Sequence, residues 1–214
     1  GWRLGLTAWS YKDNTLFETI DKAADLGIWY LDGLNVQKVS SEIDKDFDYN
    51  LSNEELLSIR HKLLEKGVAI TNYYIHDIPG DEAICKRIFD FGQLMGIEAF
   101  IAEPKPEALD LIDRYCQQYG IRLAIHNHGK DISPVYHDPQ KLLKAIAGKS
   151  RMIGVCGDLG YWQRNGFDPV QAVTLLKDRI VTLQVHDLNE KTSKGHDVPW
   201  GTGISNLQNF FQTI

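Results

Sequence analysis

The chain has 214 residues, of which 43% are hydrophobic and 24% charged, with a formal net charge of -6 at pH 7. This is apolar material enough for one substantial core, and the acidic balance without a Lys/Arg-rich run speaks against a nucleic-acid partner. No apolar run approaches the roughly 20 residues that span a bilayer, so no membrane partner is expected. A soluble protein is expected; the start at Gly1 leaves cytoplasm and periplasm both open.

Taken in chain order, the pattern alternates strands and helices. A strand is expected over 3–8. A helix over 14–26 follows, opened by the capping box of Thr15 and Glu18 and stopped at Gly27. A strand over 28–34 leads into a long loop whose acidic run, Glu42 to Asp48, reads as a solvated segment or lid. A second capping box, Ser52 with Glu55, opens a helix over 53–66, and Gly67 ends it. Strands over 68–75, 99–103 and 121–128 are separated by helices over 80–95 and 105–119, which stop at Gly96 and Gly120. Asp138-Pro139 and Asp168-Pro169 open helices over 139–147 and 169–178, on either side of a strand over 152–158. A strand over 180–187 comes last, before a helix near Ser205 with Gln208 as its capping partner. Strand, helix, glycine stop and strand again is the grammar of βα units and a parallel sheet. The expected architecture is therefore α/β: a parallel (β/α) TIM-type barrel, one domain over 1–214. Seven strands are visible, and the eighth βα unit is missing or beyond the chain end. Cys85, Cys116 and Cys156 are odd in number and widely spaced, so they read as small buried hydrophobes and not as a disulfide framework.

Side chains alternate across a strand. In the fifth strand Leu123 and Ile125 share the face toward the helices, whereas Ala124, His126 and His128 point inward. The sixth strand turns Gly154, Cys156 and Asp158 inward, and the seventh Thr182, Gln184 and His186. The inward faces become polar toward the C-terminal strand ends, where barrels build their sites. Tyr30 and Asp32 on the second strand and Glu103 after the fourth are expected to join them. Trp9, Tyr11, Tyr73, Tyr74 and Trp162 are expected around the rim, where an aromatic face can stack on the C–H surface of a ligand. Arg164 could pair with a substrate oxyanion, although a surface salt bridge is the plainer reading. Gly201-Thr202-Gly203 could cradle a phosphate, with a tight turn feeding a helix as the simpler alternative.

Four short motifs, Ala124-Ile125-His126-Asn127-His128-Gly129, Ile153 to Tyr161, Gln184-Val185-His186-Asp187 and Pro199-Trp200-Gly201-Thr202-Gly203, fall in one order and spacing. In this the chain resembles the xylose isomerase-like TIM barrels, a grouping of sugar phosphate isomerases/epimerases and AP endonuclease family 2 enzymes. The resemblance implies a divalent metal (Mn, Zn or Mg) held by Glu, Asp, His and Glu at the ends of the fifth to eighth strands. It also implies proton or hydride movement on a sugar carbon next to a carbonyl. Here His126 stands at the Glu position, Asp158 is retained, Tyr161 replaces a common His, and Gln184 takes the seventh-strand His position with His186 two residues on. The metal positions would thus be His126, Asp158 and Gln184, an under-charged set from which weak binding or none is expected. His126, His128, Asp158 and His186 are the expected catalytic groups. Trp9, Tyr30, Asp32, Glu103, Tyr161 and Arg164 are expected to bind substrate. The expected activity is a carbohydrate isomerase or epimerase, with a keto-sugar lyase or hydratase and a non-catalytic carbohydrate-binding barrel as alternatives. The acidic charge argues against a DNA-repair endonuclease. The expected partner is a small carbohydrate, and the oligomeric state is open.

Overall fold

The computed structural model describes all of residues 1–214. Seven parallel strands lie side by side in chain order. They are β1 (Gly5–Thr7), β2 (Tyr30–Leu34), β3 (Ala69–Tyr74), β4 (Ala99–Ala102), β5 (Arg122–His126), β6 (Ile153–Asp158) and β7 (Ile180–Gln184). The helices are α1 (Leu16–Asp25), α2 (Asn53–Lys66), α3 (Glu82–Met95), α4 (Leu109–Tyr119), α5 (Pro139–Ala145), α6 (Leu159–Arg164), α7 (Pro169–Leu176) and α8 (Leu207–Thr213). β1 and β7 are the two edges and do not pair with each other. The sheet is nevertheless curled. Asn72 Nδ2 on β3 donates to Thr182 Oγ1 on β7 at 3.3 Å, whereas four strand spacings in a flat sheet would hold those strands about 19 Å apart. The shape is a half-barrel with helices outside. No helix is long and apolar enough to cross a membrane.

Local chemistry accounts for the element ends. Two of the three expected capping boxes form, Thr15 with Glu18 and Ser52 with Glu55, each exchanging backbone N–H for side-chain oxygen in both directions. Asp138 and Asp168 accept from the first-turn amides ahead of their prolines. Gly67 closes α2 in the left-handed region at φ 66°, which a residue with Cβ adopts only at a cost. The outward faces of β5 and β6, with Leu123, Ile125, Ile153 and Val155 fully buried, pack on the helix layer. Each such side chain contributes about 1.5–3 kcal/mol. Inside the curl lies a much smaller apolar floor of Ile101, Ala124 and Cys156. All three cysteines are buried free thiols.

Several expectations are corrected. Strand ends are trimmed: β2 begins at Tyr30, so this residue sits at the N-terminal rim, opposite Gly5. Its ring lies under Arg3, which pairs with Glu98. Tyr30 is therefore remote from the C-terminal mouth. Trp162 is not a rim aromatic; it lies on α6, a short helix absent from the expected elements, and is fully buried. Tyr73 is likewise core, donating its hydroxyl to the Phe47 carbonyl at 2.6 Å. Phe47 and Val39 are buried too, so the acidic loop is pinned to the body of the protein instead of standing free as a lid. Ser205 does not cap α8. Its hydroxyl donates to Gln163 and accepts from the Leu188 amide.

Candidate active site

Asp158 is the hinge of the pocket. It ends β6 and begins α6, so its Oδ1 accepts from the Tyr161 amide at 2.7 Å as an N-cap. Its Oδ2 faces His126 Nε2 at 3.4 Å and His186 Nε2 at 3.3 Å. Asn127 holds this strand end in place: its amide donates to the Asp158 carbonyl at 3.1 Å and its oxygen accepts from the Asp158 N–H at 2.7 Å. Burial alone would raise the Asp158 carboxyl. The hydrogen bonds from His126 and then His186 win and hold it far below the ordinary carboxylate range.

His126, at the end of β5, has carboxylates on both edges. Nε2 lies 3.1 Å from Gln184 Oε1 as well as near Asp158. Nδ1 lies 3.2 Å from Glu103 Oε1 and 3.2 Å from His128 Nδ1. His128 Nδ1 also contacts Glu103 Oε1 directly. Burial works to lower His126, but Asp158 and Glu103 outweigh it and carry its pKa up to about 9. Burial of Glu103 is outweighed in turn by His126 and His128, which bring that carboxyl down to about 2. Rings of Tyr161 and Tyr74 stand edge-on around the two imidazoles, Tyr161 at 4.9 Å from His128.

His186 lies just past β7. Its Nδ1 meets Asp197 Oδ1 at 2.6 Å, so the ring is gripped by one buried and one exposed carboxylate. Burial opposes its charge; Asp158 and then Asp197 prevail and raise it to about 9. Arg164 ends α6, donates from Nε to the Gly195 carbonyl at 2.9 Å, and lies 3.7 Å from Asp197. It braces the 189–198 loop, so its guanidinium is engaged within the protein.

On the opposite wall, Asp32 of β2 accepts from Asn72 Nδ2 at 2.8 Å. Burial pushes its carboxyl up to about 6, against the pull of that hydrogen bond. Trp9 stays outside the cluster, exposed on the short 3-10 turn after β1, with Lys12 over its ring. The structure thus gathers His126, His128, Asp158, Gln184, His186, Glu103 and Tyr161 into one pocket. Asp32 lines the interior, Tyr30 lies at the opposite rim, Trp9 stands exposed after β1, and Arg164 borders the pocket through Asp197 and the Tyr161 ring. The residues missed in the sequence are Asn127 and Asp197. Asn127 carried a signal, an amide wedged between two inward histidines, but Asp197 lies in a loop without periodicity.

Gly201-Thr202-Gly203 does not offer a phosphate cradle. The Gly201, Gly203 and Ser205 amides already donate to the Asp187 carboxylate at 2.8, 3.0 and 3.0 Å. A divalent ion, by contrast, fits the donors of the histidine cluster. Glu103, His126 and His128 offer one carboxylate oxygen and two imidazole nitrogens, all within 4.8 Å of one another. That set suits zinc and its first-row neighbours.

Comparison with known proteins agrees with the fold. No curated protein matches the chain in sequence. Among solved structures, an uncharacterized protein from Parabacteroides distasonis is 28% identical, with a TM-score of 0.78 over 99% of this chain and 85% of that one. A D-tagatose 3-epimerase-like protein shares 14% identity at a TM-score of 0.75, covering 99% of this chain and 85% of that one. The IOLI protein, solved with a bound zinc atom, shares 10% at a TM-score of 0.73, covering 99% and 84%. Residues 105–214, just over half of the chain, match the xylose isomerase-like TIM barrel family model. With its parallel half-barrel and its polar pocket at the C-terminal strand ends, the chain belongs to the xylose isomerase-like TIM barrel family.

Proposed function

We propose that the chain is a carbohydrate-modifying enzyme, an isomerase or epimerase that moves a proton on a carbon next to a carbonyl. The observation that carries this reading is the convergence of His126, His128, Asp158 and His186 at the mouth of a barrel of this family. His186, held cationic between Asp158 and Asp197, donates a proton to the carbonyl oxygen. The proton on the neighbouring carbon passes to a carboxylate, and its electron pair forms the double bond of an enediol. Asp32, the interior carboxylate bonded to Asn72 and to no imidazole, is the one we assign to accept that proton. Asp158 and Glu103 are held too low for the task and act as positioning groups. His126, His128 and Tyr161 orient the sugar. A divalent ion (Mn, Zn or Mg), when bound, would polarise the carbonyl and its neighbouring hydroxyl.

Incubation with ketoses and aldoses, free and phosphorylated, in D2O tests this reading by proton NMR. Deuterium should enter at the carbon beside the carbonyl, and His186→Gln should abolish the exchange. One observation favours a second reading, a barrel that binds carbohydrate without turnover: neutral Gln184 stands 3.1 Å from His126 where the family resemblance calls for a His. Saturable sugar binding without exchange would favour it. Loss of water to give an unsaturated product would indicate a lyase or hydratase instead.

A further inference from the structure

We propose that Glu103, His126 and His128 form a divalent-metal centre for an ion of the zinc, cobalt or manganese class, on the opposite side of the His126 ring from Asp158 and Gln184. It goes beyond the sugar chemistry proposed above and stands or falls with no sugar present.

The geometry is that of a coordination shell. Metal–ligand bonds of about 2.0–2.2 Å put neighbouring donors about 3.0–3.5 Å apart. Two of the three spacings match: His126 Nδ1 lies 3.2 Å from Glu103 Oε1 and 3.2 Å from His128 Nδ1, whereas Glu103 and His128 stand closer together and must part to admit an ion. The ring hydrogen that a ligating His126 keeps belongs on the other edge. Its Nε2 faces two acceptor oxygens, Gln184 Oε1 at 3.1 Å and Asp158 Oδ2 at 3.4 Å. An ion entering between Glu103 and His128 displaces the Nδ1 proton that His126 gives to Glu103 in the metal-free protein and takes that lone pair. A ligating imidazole whose far N–H is held by a carboxylate is the usual way a protein orients such a ring.

The other side of the ring is a poorer cradle. Asp158 is already committed to the Tyr161 amide at 2.7 Å and to His186 at 3.3 Å, and Gln184 brings no charge. Glu103 instead hydrogen-bonds to the two imidazoles themselves. Weak binding was expected on the count of Asp158 as the lone anionic ligand; Glu103 supplies another, from the segment after β4. Side-chain exposure is graded: Glu103 6%, His126 3%, His128 17%. The set is closed from below and open toward the pocket, as a site that keeps a free coordination position must be.

The test uses the full chain, stripped with a chelator and titrated with Co2+ and Zn2+ by calorimetry and visible absorption. One ion per chain should bind at about micromolar Kd or tighter. Glu103→Gln should weaken binding by at least about a hundredfold, beyond the roughly 10–100-fold that loss of a merely orienting partner costs, and His186→Ala by less than about tenfold, because His186 bonds to Asp158 and Asp197 and to none of the three donors. His128→Cys, with its fold checked by circular dichroism, should keep binding and gain a thiolate-to-cobalt charge-transfer band in the near ultraviolet. The native cysteines are buried and would give no such band. No binding by the native chain, undiminished binding in Glu103→Gln, or a His128→Cys complex without that band would each overturn the assignment.

Discussion

Asp158→Asn is the most searching perturbation of the pocket. Asparagine keeps the size and the oxygen that caps α6, but removes the charge facing His126 and His186. Carrying the His186 imidazole from 6.5 to about 9 is worth about 3 kcal/mol at 1.36 kcal/mol per pH unit. Removing one partner of a buried pair costs about 3–5 kcal/mol, in the same range. The sign follows from linkage. His126 and His186 have raised folded-state values, so their contribution is complete below about 6.5 and is lost as pH rises through about 9. The lowered Asp158 contributes above its unfolded value of about 3.9 and loses that contribution as pH falls. Native stability should therefore peak between about pH 4 and 6.5. The gap between native and Asp158→Asn should be about 3–5 kcal/mol at pH 6 and shrink to about 1 kcal/mol by pH 9.5. Urea denaturation in chelator-containing buffers across that range measures it. A gap that is constant or widens with pH would refute the ion-pair account of the cluster.

Gly92→Ala on α3 should destabilise by about 1–3 kcal/mol despite the better helix former, because the new methyl would stand 2.5 Å from Phe100 and 3.0 Å from Ile121; a higher Tm would contradict this packing. Tyr73→Phe should cost about 1–3 kcal/mol by leaving the Phe47 carbonyl without its buried donor. Amide exchange should then quicken in the 37–47 segment if that hydroxyl is what pins the loop. Asp187→Ala should cost about 1–3 kcal/mol and release the Gly201, Gly203 and Ser205 amides to exchange, with α1 to α3 unaffected.

The sheet and half of the pocket were legible because strand parity is a strict rule. Leu123 and Ile125 against Ala124 and His126 fixed which face of β5 looks inward, and the same alternation brought out Asp158. Helix ends were legible where the cap is local, as at Thr15, Ser52 and Asp138. What escaped depends on chain paths that no period encodes. Asp197 lies in an aperiodic loop after β7, and only the fold-back of that loop brings it onto His186. Trp162 looks like a rim aromatic until the Asp158 cap starts a six-residue helix that turns it into the core. Tyr30 shares parity with Asp32 but lies one rung too low. Register shifts at Leu31/Asp32 and Val155/Cys156 complicate counting further along the strands. Ser205 has the right neighbour for a capping box, yet its hydroxyl is taken by Gln163 and Leu188.

The grip of Asp187 on its loop separates shape from chemistry. The carboxylate reads only main-chain N–H groups, at positions 201, 203 and 205, and is indifferent to the side chains between them. Two glycines carry the geometric demand: Gly201 at φ 87°, and Gly203, where a Cβ would strike Asp187 and the Leu188 carbonyl. Trp200, Thr202 and Ile204 project from this frame, exposed. Their identities can drift while the loop keeps its path, so this stretch can acquire new surface preferences through single substitutions without disturbing the histidine cluster.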